Sequence, residues 1–112
     1  MKAVFHLDLD DEKILNIALT NLENLRKAKP EARITLLVNG PAVNFFRHAT
    51  DAPHSGRVLR LLDDKVTIFL CANALRHFDI ATTDICPGCL VVPAGVVALI
   101  ELQQQGWAYI KP

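Results

Sequence analysis

Residues 32–41 read ARITLLVNGP, and the order of side-chain types within them decides the fold. From Ala32 to Val38 the stretch is almost unbroken in apolar and β-branched residues. A run without polar alternation describes a strand covered on both faces, as in parallel sheets held between helices. Asn39 and Gly40 then end the strand, and Pro41 suits the first turn of a helix. Strand running straight into helix is the unit of a βαβ fold, and the rest of the chain repeats it.

Upstream, AVFHLDL (3–9) is strand-like through Val4, Phe5 and Leu7. The carboxylates Asp8, Asp10, Asp11 and Glu12 follow where negative charge favours a helix start. Leu15, Ala18, Leu22 and Leu25 then recur at spacings of three and four, making one apolar stripe, and Pro30 stops the helix. Downstream, PAVNFFRH (41–48) predicts a second helix and ATDAPHSG (49–56) a turn-rich loop. RVLRLLDD (57–64) predicts a short helix, and a strand resumes at Lys65 or Val66. VTIFLCANALRHF (66–78) changes from strand to helix at Cys71. An irregular connection, DIATTDICPGC (79–89), leads to the strand LVVP, the helix AGVVALIELQQQG closed by Gly106, and a last strand WAYIK. The expected fold is therefore a single α/β domain over residues 1–112. It has three layers, α/β/α, with a largely parallel five-stranded sheet and right-handed crossovers.

Twelve basic and twelve acidic residues leave the formal charge at zero, so no global field favours nucleic acid or an anionic membrane. The longest nearly apolar run, CLVVPAGVVALIEL, contains Pro93 and Gly95 and is shorter than the roughly 18 residues a membrane span needs. An N-terminus that meets His6 and Asp8 at once lacks the pattern of an export signal. The expected location is the cytoplasm, with Cys71, Cys86 and Cys89 as reduced thiols. A hydrophobic fraction of 51% in 112 residues points to a subunit interface and hence a homo-oligomer.

In a parallel sheet, ligand sites gather at the carboxyl ends of the strands. His6 and Asp8, Asn39 and Gly40, Cys71 and Asn73, and Pro93 and Gly95 end the first four strands, forming one candidate rim. Cys71 precedes a helix start, where unpaired N–H groups stabilise a thiolate, the nucleophilic form of cysteine. A buried packing role for the same thiol is the competing reading. Asn73 is a cap for the short helix or a ligand contact. His6 is a hydrogen-bonded core histidine or a member of the rim, and Trp107 and Tyr109 are expected to pack. The CPGC pair, Cys86 and Cys89, is an incidental turn, a regulatory disulfide or part of a metal site, although the histidines offer no helpful ligand spacing. No GxGxxG, phosphate loop or GxSxG occurs.

Four stretches, VFHLDLDDEKILNIALTNLENL, ITLLVNGPAV, VTIFLCANAL and VVPAGVVALIELQQQGWAYIKP, resemble in order and spacing the DsrE/DsrF-like family, most closely its short single-domain branch. The resemblance implies a small α/β/α protein that forms homo- or hetero-oligomers. It matches Cys71 to the cysteine that, in sulfur-relay members, carries a persulfide and passes sulfane sulfur to a partner protein. His6, Asn39, Gly40 and Asn73 would shape its pocket, and no cofactor or metal is implied. The alternative is a small-ligand or anion-binding module in which Cys71 is structural.

Overall fold

The computed structural model describes residues 1–48 and 52–112, so the first three residues of the predicted loop at 49–56 lie outside the described residues. Five strands, β1 (Lys2–Leu7), β2 (Arg33–Val38), β3 (Thr67–Cys71), β4 (Leu90–Val92) and β5 (Ala108–Ile110), form one sheet in the order β4-β3-β2-β1-β5. Every pairing is parallel, so the expectation of a largely parallel sheet is met throughout. Helices α1 (Glu12–Ala28), α2 (Ser55–Asp63), α3 (Ala72–His77) and α4 (Gly95–Gln104) lie on its two sides.

The apolar run of β2 divides between the two faces as period-two alternation requires. Ile34, Leu36 and Val38 join the larger core with Leu15, Leu19 and Leu22 of α1. Leu37 points the other way and meets Val4, Leu99 and Trp107 in a smaller core beneath α4. Leu36, Leu37 and Val38 are all fully buried. Burying each such side chain stabilises the fold by about 1.5–3 kcal/mol. β2 thus anchors both layers.

The acidic cluster opens α1 through one residue. The Asp11 side chain accepts a hydrogen bond from the backbone N–H of Lys13 at 2.8 Å, and Asp11 is the N-cap. The helix expected over 41–48 forms as a 3₁₀ helix, Gly40–Phe46. Gly40 adopts φ +56°, and a Cβ there would lie 2.8 Å from the backbone oxygen of Asp8. The Asn44 side chain donates back to the Pro41 carbonyl at 2.9 Å, competing with α-helical pairing. At three residues per turn, Val43 and Phe46 both reach the core.

A two-pronged ion pair fastens α2 to α1. Arg57 donates from Nε to Glu23 Oε2 at 3.0 Å and from Nη2 to Oε1 at 2.6 Å. α2 then ends with Lys65 in the left-handed region (φ 65°), its N–H bonded to the Leu62 carbonyl and that of Val66 to Leu61. Glycine usually fills this position, because a Cβ there is strained by roughly 1 kcal/mol. Lys65→Gly is therefore expected to stabilise the protein by about 0.5–1 kcal/mol. Urea denaturation checks this: a higher midpoint at unchanged slope is the expected outcome.

Candidate functional site

Parallel pairing brings the carboxyl ends of β3, β2 and β1 to one edge in adjacent positions. Leu70 pairs with Val38 and Leu37 with His6, so the register sets Cys71 beside Asn39, with His6 one strand further on. Above this edge the chain must cross from β4 into α4, and the two meet the sheet at Gly95. A Cβ on Gly95 would lie 3.1 Å from Asn39 Cβ, 3.2 Å from Leu37 Cδ2 and 3.3 Å from Cys71 Cβ. Only a residue without a side chain lets the start of α4 approach this closely.

That approach determines the surroundings of the thiol. Cys71 is 6% exposed. Its Sγ accepts a hydrogen bond from the backbone N–H of Gly95 at 3.3 Å. Cys71 is the N-cap of α3, yet its side chain makes no capping bond there. The donor comes instead from the ten-residue helix α4, one of whose free first-turn N–H groups is satisfied by sulfur.

Beside the sulfur opens a hollow of about 310 Å³, lined among others by Asn39, Gly40, Cys71, Asn73, His77 and Gly95. Larger hollows, of about 580, 590 and 470 Å³, are lined among others by Arg33, Thr35 and Trp107, by Leu62, Pro87 and Leu90, and by Met1, Lys29 and Glu31. None of these is lined by a cysteine. The smaller hollow is the candidate site because it lies at the carboxyl edge and joins a thiol to polar groups.

The other predicted site residues are placed as follows. Asn39, Gly40 and Asn73 share the hollow with Cys71. Asn73 does not cap α3; its Oδ1 accepts a hydrogen bond from Arg76. His6 stands behind Asn39, with Nε2 2.8 Å from Asn39 Oδ1 and Nδ1 2.5 Å from the Tyr109 hydroxyl. Tyr109, expected only to pack, is 40% exposed and makes this polar contact. Asp8 pairs with Lys111. Partial burial pushes its carboxyl up, but the Lys111 hydrogen bond and charge, together with the charge of His6, bring it below the usual carboxylate range. Sequence reasoning placed Gly95 on the rim but missed its N–H bond to the sulfur, and it missed the contact of the Tyr109 hydroxyl with His6. A glycine at a helix start and a tyrosine at period two from Trp107 were the signals available.

Cys86 and Cys89 lie elsewhere, in a turn. The Cys86 carbonyl accepts from Cys89 N–H at 3.2 Å, and Gly88 takes φ +95° after Pro87, the arrangement of a type II turn. Both are free thiols, and the Cys86 thiol donates to the Pro87 carbonyl at 3.8 Å. Burial pushes the Cys86 thiol up, and burial together with the neighbouring Cys86 pushes Cys89 up to about 12. Among the described residues, no group of three or more His, Cys, Asp or Glu is placed to hold a metal ion. Nor is any helix among them long and apolar enough to cross a membrane.

A protein-family model described as the DsrE/DsrF-like family matches residues 2–112. No curated protein matches significantly. Among solved structures, a protein of unknown function from Methanobacterium thermoautotrophicum, MTH1491, superimposes with a TM-score of 0.92 at 34% identity, over 99% of this chain and 98% of that one. A conserved protein of unknown function from Bacteroides thetaiotaomicron, BT1422, gives 0.79 at 19% identity, covering 99% and 94%. The ychN protein of E. coli gives 0.79 at 16%, covering all of both chains. The last two are similar in fold alone.

A methyl group at position 95 is expected to push α4 outward by a few tenths of an ångström and lengthen the N–H···S contact. Gly95→Ala gains helix propensity of up to about 1 kcal/mol, against an overpacking cost of about 1–3 kcal/mol. The expected net result is a loss of about 1 kcal/mol in denaturant titrations, with slower alkylation of Cys71 and no change at Cys86.

Proposed function

The chain belongs to the DsrE/DsrF-like family, and from that membership and the geometry of the carboxyl edge we propose that Cys71 is a sulfur-accepting nucleophile. It takes up sulfane sulfur as a persulfide and hands it on. The observation that carries this reading is the position of the Cys71 sulfur, which borders an open hollow and accepts an N–H from Gly95. A packing cysteine has no need of either feature.

In the step proposed, the Cys71 thiolate attacks the outer sulfur of a thiol persulfide, R–S–SH. A new S–S bond forms to Cys71 as the donor's S–S bond breaks, giving Cys71–S–SH and the thiolate R–S⁻. Charge and electrons balance without an added oxidant. Passing the sulfur on repeats the exchange with Cys71 as leaving group, and a sulfur-carrier protein is the proposed acceptor. Such chemistry belongs in the cytoplasm, where thiols stay reduced.

The working unit is a homo-oligomer. α4 covers only part of its face of the sheet, since one helix is about 10 Å wide and strands lie about 4.8 Å apart. Val96, Val97 and Ile100 of α4 are each about half exposed, and Leu90 and Val91 of β4 add to the apolar surface. Val96 also lines the hollow beside Cys71, so a second subunit covering this surface would wall the site.

The second reading, a small-ligand module with a structural Cys71, is favoured by the low exposure of that residue. One experiment separates the two. The protein is incubated with a low-molecular-weight thiol persulfide, and the modified peptides are mapped by mass spectrometry beside Cys71→Ser. One added sulfur on Cys71, absent in the variant, is the expected outcome. Sulfur confined to Cys86 or Cys89, or none, overturns the proposal.

A further inference from the structure

At the amino ends of the strands, the opposite edge of the sheet from Cys71, lies the hollow of about 580 Å³. Arg33 and Thr35 of β2, Thr67 and Phe69 of β3, Leu102 of α4 and Trp107 line it. Thr35 pairs with Thr67 in the parallel register, so the two threonines stand side by side on the face that α4 covers in part. Thr35 is 3% exposed and Trp107 9%, yet the Thr35 hydroxyl and the Trp107 indole N–H have no hydrogen-bond partner among the described residues. Arg26 Nε is the one side-chain nitrogen or oxygen among those residues that is sealed from solvent without a partner. The two unbonded groups are therefore open to solvent, and the hollow is the opening both residues line. Buried donors are almost always bonded, to protein or to something bound. These two are left for a bound molecule.

The charge around them is positive on balance. The guanidinium of Arg33 lies over the Trp107 ring, its Cζ 5.2 Å from the centroid, which occupies the flat face of the group and leaves its N–H edge free. Neither Arg33 nor Lys65, which also lines the hollow, forms an ion pair among the described residues. Arg26 adds a third positive charge, with Nη1 tied to the carbonyls of Pro30 and Ala32. Glu31 and Asp64 are the carboxylates of the same lining, so three cations face two anions. We propose that this hollow binds a small organic anion, a carboxylate or a phosphate monoester. Its oxygens satisfy the Thr35 and Trp107 donors in the field of Arg33 and Lys65, and its apolar body rests on Phe69 and Leu102. The volume suits a ligand of that size. The site stands apart from Cys71 and does not depend on the sulfur-carrier reading.

Trp107 is the sole tryptophan, so its fluorescence reports on the hollow directly. The protein is titrated with butyl phosphate, with pentanoate and with the neutral 1-butanol, and the wild type is compared with Thr35→Val, Thr35→Ser and Arg33→Gln. A saturable change with at least one anion, and none with 1-butanol, is the expected outcome. Thr35→Val and Arg33→Gln are each expected to weaken binding about tenfold, the effect of one hydrogen bond to a charged group. Thr35→Ser keeps the hydroxyl and is expected to bind within about twofold of the wild type. Arg33 is exposed, so Arg33→Gln keeps the test decisive should Thr35→Val fail to fold. A response to butyl phosphate alone assigns a phosphate ester, and one to pentanoate alone a carboxylate. No saturation by either anion up to about 10 mM, an equal response to 1-butanol, or unchanged affinity in Arg33→Gln and folded Thr35→Val overturns the inference. A subunit count that changes in Thr35→Val, with no response to either anion, assigns the hollow to a contact between copies and overturns it as well.

Discussion

The first residue of α4 has no side chain and rests directly on the side chains of Leu37, Asn39 and Cys71, and the rest of the site follows from that contact. Gly95 is the point at which a helix N-terminus can reach a sulfur at the end of β3. Any side chain there would separate them. The sheet supplies the other half of the arrangement, because parallel strands end at the same edge and bring Asn39 and His6 into line with Cys71. The site is thus a by-product of topology, tuned by one missing Cβ.

The two faces of the sheet are finished differently. On one, α1, α2, α3 and the 3₁₀ helix Gly40–Phe46 share a core built on Leu36 and Val38. On the other, α4 alone covers Leu37, Val4 and Trp107, and it shows Val96, Val97 and Ile100 outward. A helix apolar on both sides is buried on both sides in a stable assembly. In the homo-oligomer proposed, the same element that directs an N–H at the sulfur also presents the surface on which a second copy would pack. Assembly and chemistry would be linked through α4.

Much of the fold was legible because its signals are local. The unbroken run Ile34–Val38, the stripe Leu15, Ala18 and Leu22, and the Gly106 stop each report a single element, and the alternation of elements implies the sheet. A helix after Pro41 was legible, but its 3₁₀ winding was not, and neither was the approach of Gly40 to the Asp8 carbonyl, a contact between distant segments. The site was half legible. Cys71, Asn39 and Gly40 could be placed at one edge from strand ends alone. Gly95 could be placed there too, but its bond to the sulfur could not be read, since it lies 24 residues from Cys71 and meets it only after β4 and α4 have folded back. Tyr109 was read only as a packing residue because period two gives its face of the sheet but not its partner on β1.

The three thiols differ in ways their shared residue type conceals. Cys86 and Cys89 sit in a turn where burial disfavours ionisation, most strongly at Cys89. Cys71 is no more exposed than Cys89, but it has a backbone donor and an open hollow. If the carboxyl edge is built to present a reactive sulfur, limited alkylation of the native protein followed by peptide mapping will find Cys71 modified first and Cys89 last. Modification of Cys86 ahead of Cys71, with Cys71 reacting only after denaturation, would contradict the account and make Cys71 a packing residue.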